Sequence, residues 1–291
     1  MSKFSGLLTA LATPFTDGEL DEAAFRAHVR RQIAGGVDGL VPCGTTGEAP
    51  TLPVPEHLEV IRWTVEEAAG HPVLAGIGSN STATAIASAK QAESLGVQGV
   101  LATAPYYNKP TQEGLYRHFR AIAESVSVEI CLYDVPGRSI VRLQPDTIER
   151  LAEIDNITCL KDATADLAHC SEVVRRVGDG LTLLSGDDFT VLPFLACGGH
   201  GTISVASNVA PTQMKALVQA GLEARFDDAR AINARLFPLF HALFLESNPI
   251  PLKAALGAMG HMQDELRLPL SPLADAHRPR LTAVLQSLEL L

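Results

Sequence analysis

The sequence predicts a single α/β fold, a (β/α)8 TIM barrel with a C-terminal helical extension. Three observations carry this: eight short apolar runs, segments of 3.6-residue period between them, and a strand signal that stops after about residue 210. Near-continuous hydrophobic strands separated by crossover helices belong to a parallel sheet covered on both faces. Eight βα units fit a closed barrel better than an open doubly wound sheet, and no G-x-G-x-x-G opens the first unit to suggest a dinucleotide. At 291 residues the chain can bury roughly 75% of its unfolded surface without disulfide or metal staples.

The expected strands are 7–13, 39–43, 73–77, 99–104, 129–133, 157–161, 181–185 and 201–205. Helical periodicity marks 21–34, 55–69, 82–95, 112–125 and 166–177. Several helix-to-strand junctions share one signature, as in Gly35-Gly36-Val37, Gly70-His71-Pro72-Val73 and Gly96-Val97-Gln98-Gly99. There a glycine serves as a left-handed helix cap before the next apolar run. Segments 211–221, 225–245, 251–259 and 272–288 read as helices. This places the barrel and its active site in 1–222 and the helical extension in 223–291.

Composition narrows the function. With 23 Lys+Arg against 33 Asp+Glu, the net charge is -10 and the basic residues are scattered. Such a surface repels phosphate backbones, so neither nucleic acid nor an anionic membrane is an expected partner. Aromatics are 5%, too few for a stacking platform. The five cysteines (Cys43, Cys131, Cys159, Cys170, Cys197) are odd in number and never form C-x-x-C, which reads as reduced core thiols and a cytoplasmic protein. No apolar stretch is long enough to span a membrane. The nine histidines include no H-E-x-x-H and no spaced Cys/His cluster, so no metal is expected.

Barrel enzymes carry their reactive groups at the C-terminal ends of strands. Those positions hold Gly44-Thr45-Thr46-Gly47-Glu48, Tyr106-Tyr107-Asn108-Lys109-Pro110, Tyr133-Asp134-Val135-Pro136-Gly137-Arg138, Leu160-Lys161-Asp162 and Ser185-Gly186-Asp187-Asp188. Lys161 closes an apolar run and points into a poorly solvated barrel, where desolvation disfavours its ammonium form. An unperturbed lysine is only about 0.1% neutral near pH 7.4, so an imine-forming amine needs that environment. A structural ion pair with Asp162 or Asp187 is the competing reading of the same position. Tyr133 closes the adjacent strand and can relay protons, with Thr45 and Tyr107 as partners; taken singly, each tyrosine also fits a rim residue. The loop from Gly44 to Gly47 lets backbone amides approach a carboxylate, and Arg138 suits a second one by bidentate pairing.

Together, in order and in spacing, these motifs and Ser247-Asn248-Pro249-Ile250-Pro251-Leu252-Lys253 resemble the dihydrodipicolinate synthase family of the class I pyruvate-dependent aldolases. The resemblance spans essentially the whole chain. It implies a lyase of lysine and diaminopimelate biosynthesis that condenses pyruvate with L-aspartate 4-semialdehyde to 4-hydroxy-tetrahydrodipicolinate. Lys161 would form the imine with pyruvate, with no other cofactor, and Tyr133 would be the main proton carrier. Thr45 and Tyr107 would complete the relay, Tyr107 reaching in from a neighbouring subunit of a homodimer or homotetramer. Thr46 would hold the pyruvate carboxylate, the Ile203 carbonyl would face the imine, and Arg138 would bind the second substrate's carboxylate. Gly186 and Asp187 complete the implied substrate-binding set.

The chain departs from the commoner motif at Asp134, where Asn is frequent, and at Gly137, where Ser is frequent. A sugar-acid aldolase with another aldehyde is the alternative within the superfamily, and a non-catalytic ketoacid-binding barrel the alternative outside it. Tyr107 and Asp187-Asp188 favour the synthase, and retention of every expected reacting group disfavours the dead barrel. Many members of the family are inhibited by lysine between subunits. Asn80, His57 and Tyr106 match residues lining that site, whereas Val54 replaces a histidine and Thr84 a glutamate, with Glu48 as a candidate compensating acid. Weak or absent inhibition by lysine is the expectation.

Overall fold

In the computed structural model, which describes residues 2–291, eight parallel strands form the predicted barrel. In chain order the strands are β1 (Gly6–Ala10), β2 (Phe15–Thr16), β3 (Glu19–Leu20), β4 (Gly39–Val41), β5 (Leu74–Gly76), β6 (Gly99–Thr103), β7 (Glu129–Asp134), β8 (Ile157–Asp162), β9 (Thr182–Ser185) and β10 (Gly201–Ser204). The barrel runs β4-β1-β10-β9-β8-β7-β6-β5. It closes where Leu40 bridges Val73 and the Gly76 amide donates to the Pro42 carbonyl at 2.9 Å.

The helices are α1 (Glu22–Ala34), α2 (Val54–Glu67), α3 (Thr82–Ser94), α4 (Gln112–Ala123), α5 (Pro136–Ser139), α6 (Pro145–Ala152), α7 (Leu167–Val177), α8 (Val191–Ala196), α9 (Pro211–Leu222), α10 (Phe226–Ala242), α11 (Ile250–Ala258) and α12 (Arg278–Ser287). Asp21, Ser81, Thr111 and Asp166 cap four of them with side-chain oxygens, satisfying amides that a helix start leaves free. At the junctions Gly36, Gly70 and Gly96 take φ values of +85°, +89° and +88°, as the glycine signature predicts.

Two expectations shift. The first run ends at Ala10, and the chain then turns into the hairpin β2-β3 through Asp17 and Gly18, both at positive φ. The last helix begins at Arg278 instead of Pro272, because Pro279, lacking an N–H, is tolerated in the first turn and would break a helix interior. Side chains from all eight barrel strands fill the interior, among them Leu8, Val41, Leu74, Leu101, Cys131, Cys159, Leu184 and Ile203, and Phe4 joins this core. Helix α10 packs on α8 and α9, α12 packs on α10 and α11, and the segment before α11 returns to the strand ends.

Candidate active site

Strands β7 and β8 set the site by running in register, with Tyr133 opposite Lys161 and Asp134 opposite Asp162. Side chains alternate across a strand. Tyr133 and Lys161 therefore share the interior face, and the two aspartates turn to the helical layer. Each strand extends one residue past its expected end, so both groups are held inside the ladder.

Lys161 is 7% exposed and its Nζ lies 4.1 Å from the centroid of the Tyr133 ring. Neither competing carboxylate pairs with it. Asp162 Oδ1 accepts from the Thr164 amide at 2.8 Å, and Asp187 accepts from the Phe189 amide at 3.4 Å and the Thr190 hydroxyl at 2.7 Å. Gly186 passes so close to the lysine stem that a Cβ there would lie 3.0 Å from Lys161 Cε. A side chain at 186 would push the amine out of place.

A cavity of about 440 Å³ opens at the strand ends, lined by Thr45, Tyr106, Tyr133 and Arg138 among others. Lys161, Thr46, Gly186, Asp187 and Ile203 are not part of its wall. The lysine nitrogen is tucked against the Tyr133 ring, and it is the tyrosine that meets the open space. Asp187 spends its oxygens on its own turn. Ile203, 1% exposed, sits in the interior core.

The loop after β4 leaves two backbone amides without acceptors. The amides of Gly47, Glu48 and Ala49 turn back onto loop carbonyls, whereas those of Thr45 and Thr46 have no acceptor among the described residues. Thr46 is buried, and its hydroxyl oxygen accepts from Asn248 Nδ2 at 2.9 Å, leaving its own proton free to donate. Asn248 also receives Arg138 Nη2 on its backbone carbonyl at 3.2 Å. It thus anchors both proposed carboxylate binders, a role that reading the sequence missed although Asn248 lies within a quoted motif.

Tyr107 is 88% exposed with φ +70° and turns away from its own chain's cavity. Val54, His57, Thr84 and Tyr106 also line that cavity, whereas Asn80, which is not in its wall, accepts from Asn108 Nδ2 on its backbone carbonyl. Burial holds the His57 imidazole below its ordinary pKa. Glu48 is elsewhere: its Oε1 takes Lys253 Nζ at 2.7 Å and its Oε2 the Arg267 amide at 3.1 Å. It cannot serve as the compensating acid, and no Asp or Glu lines the cavity among the described residues. Nor do those residues include a group of three His, Cys, Asp or Glu able to hold a metal ion.

Asp134 is fully buried with neither carboxylate oxygen hydrogen-bonded, and desolvation raises its pKa to about 7. The unfolded chain gives this proton up near pH 4. The native state therefore binds more protons across that window, and stability falls as pH rises through it. Asp134→Asn is expected to raise stability by about 2–4 kcal/mol at pH 8 and to change it little at pH 4. Denaturant titrations at the two pH values check this, and equal shifts at both would assign the proton elsewhere.

A barrel with an amine buried among its strand ends, beside a phenol and a loop with free backbone amides, defines the class of lysine-bearing (β/α)8 lyases that act on small carboxylated carbonyl compounds. Within that class the chain belongs to the dihydrodipicolinate synthetase family, whose model matches residues 3–288. It is 49% identical over 285 residues to the 4-hydroxy-tetrahydrodipicolinate synthase of Pelobacter propionicus, covering 98% of each chain. Among solved structures, the Thermotoga maritima dihydrodipicolinate synthase superposes with a TM-score of 0.98 at 42% identity, covering all of both chains. The Cyanidioschyzon merolae enzyme solved with lysine bound gives 0.97 at 36% identity, again over the full length of both.

Proposed function

We propose that this chain is a Schiff-base-forming lyase that condenses pyruvate with L-aspartate 4-semialdehyde to give 4-hydroxy-tetrahydrodipicolinate, a step of lysine and diaminopimelate biosynthesis. The observation that carries this is the in-register pair of Tyr133 and Lys161, buried together at the barrel's strand ends in a chain that matches the synthases from end to end. That full-length match also favours the synthase over a sugar-acid aldolase.

Lys161 Nζ attacks the pyruvate carbonyl carbon and water leaves, forming the imine. Loss of a methyl proton gives an enamine, whose carbon attacks the aldehyde before the product cyclises and frees the lysine. Tyr133 carries the protons, with Thr45 and the partner subunit's Tyr107 completing the relay. The exposure of Tyr107 supports a homodimer or homotetramer, since only a second copy can bring that phenol to this site. The Thr45 and Thr46 amides and the Thr46 hydroxyl hold the pyruvate carboxylate. The imine supplies the electron sink, so no further cofactor is needed. No helix is long and apolar enough to cross a membrane among the described residues, and the five free cysteines support a cytoplasmic location. The test is borohydride reduction with pyruvate: irreversible labelling of Lys161 is the expected result, and no labelling overturns the mechanism. Assay with both substrates against a panel of sugar acids decides the aldehyde.

Two further outcomes follow from the same site. Arg138→Ala is expected to raise KM for aspartate semialdehyde at least about 30-fold, matching about 2 kcal/mol or more, while pyruvate labelling stays intact. A selective loss of pyruvate binding would remove Arg138 from that role. Lysine is expected to inhibit weakly or not at all, because its ammonium groups would meet a neutral imidazole and the Thr84 hydroxyl where a carboxylate is required. Losing one charge-assisted contact weakens binding about 10- to 150-fold. A sub-millimolar inhibition constant at fixed pyruvate would refute this.

A further inference from the structure

The barrel interior holds two nucleophiles that the reaction above does not use. Just below Tyr133 and Lys161, Cys131 and Cys159 are Cα partners across β7 and β8, and both belong to the interior core. Adjacent strands lie about 4.7–4.9 Å apart, inside the roughly 4.4–6.8 Å window between the Cα atoms of a disulfide. A register shift after Ile130 is what sets Cys159, and not Thr158, opposite Cys131. Both thiols are free.

Both thiols are fully buried, so peroxide must enter past residues 2–4, and of the two Cys159 is the one in contact with that cover. Its Sγ lies 3.0 Å from Ser2 Oγ, and the Thr158 hydroxyl donates at 2.6 Å to Glu129, which also accepts from Ser2. Residues 2–4, ending in the fully buried Phe4, cover the pair at this end of the barrel. The neighbouring Cys131 thiol holds Cys159 below the usual thiol range, whereas burial pushes Cys131 well above it. The more acidic thiol is the better-populated thiolate.

We propose that Cys131 and Cys159 are a modification site, a dithiol that a hydroperoxide converts to a disulfide directly beneath the Tyr133–Lys161 pair. The Cys159 thiolate attacks one oxygen of hydrogen peroxide and the O–O bond breaks. The departing hydroxide takes up a proton as water and leaves a sulfenic acid on Cys159. The Cys131 sulfur then attacks the Cys159 sulfur, the S–S bond forms and the S–O bond breaks. The second hydroxide leaves with the Cys131 proton as water. Two thiols and one peroxide become one disulfide and two waters. The Cα atoms of a disulfide most often lie about 5.5–6 Å apart, wider than the strand spacing of about 4.7–4.9 Å, so β7 and β8 are pushed apart two residues below the reacting groups. A productive constellation tolerates displacement of only about 0.5 Å. The effect on turnover rests on the function proposed above; the disulfide itself does not.

The test treats the folded full-length enzyme with hydrogen peroxide and maps its peptides without reduction. The expected result is a peptide linked between Cys131 and Cys159, a mass lower by two hydrogens, and a kcat reduced tenfold or more until dithiothreitol restores it. Cys131→Ala is expected to lose both the linkage and the reversible inactivation, and the mapping on the unsubstituted chain stands even if that variant does not fold. A linkage between Cys170 and Cys197 instead, or thiols at 131 and 159 that stay reduced under the same treatment, overturns the proposal. A mapped 131–159 disulfide with unchanged kcat supports the dithiol and overturns its predicted displacement of the Tyr133–Lys161 pair.

Discussion

Lys161→Ala is expected to abolish the borohydride-trapped pyruvate adduct and to lower turnover by several orders of magnitude. Lys161 is the amine held at the strand ends beside Tyr133, and removing the nucleophile of a covalent mechanism forfeits the whole of that path. The barrel itself has little reason to fail. Lys161 takes part in no ion pair with Asp162 or Asp187, and its loss leaves a space bordered by Gly186 and the Tyr133 ring. Steady-state rates and intact mass after reduction are the measurements. A variant of near-normal activity would show that the chemistry does not pass through this nitrogen.

Lys253→Met is expected to cost about 3–5 kcal/mol of stability, although the residue touches no substrate. Lys253 and Glu48 are both wholly inaccessible to solvent and lie 2.7 Å apart, and Lys253 Nζ also donates to the Thr13 carbonyl at 2.9 Å. It stands 4.2 Å from the centroid of Phe15. Burial holds its ammonium below the usual lysine range even with Glu48 beside it. Removing one member leaves a charge buried alone, which is far costlier than replacing both. The double variant Glu48→Leu with Lys253→Met should therefore recover much of the loss. Denaturant midpoints of the two variants decide it, and a double variant that simply sums two large losses would count against the pair as the cause.

The contrast between these two lysines explains how much of the molecule could be read from the sequence. The barrel and its strand-end residues were legible because both depend on local periodicity or on a motif of adjacent residues. The place of Lys161 followed from one apolar run. Lys253 lies on a helix and meets Glu48, 205 positions earlier, so nothing local marks its partner, and Glu48 accordingly read as a free acid near the cavity. Asn248 was hidden for the same reason, since its two contacts lie on Thr46 and Arg138. The hairpin at Asp17-Gly18 had a local signal, because Asp-Gly is a favoured two-residue turn, yet the apolar run before it masked the end of β1. Proline decided α12: the periodic pattern from residue 272 was real, but Pro279 fixed where the helix could begin.

The Arg267 guanidinium reaches the Gly18 carbonyl at 2.7 Å, stacks 4.3 Å from the centroid of Phe15 and grips Glu56. The seam between β1 and β10 joins residues 6–9 to 201–204. Both ties set an order of events on the ribosome. The first strand must wait for nearly two hundred further residues before its second neighbour exists, and Glu48 must wait longer still for Lys253. At roughly 5–20 residues per second, an emerging chain spends many seconds as an open sheet with an exposed edge and an unanswered carboxylate. The barrel can therefore lock only once β10 and Lys253 have both emerged.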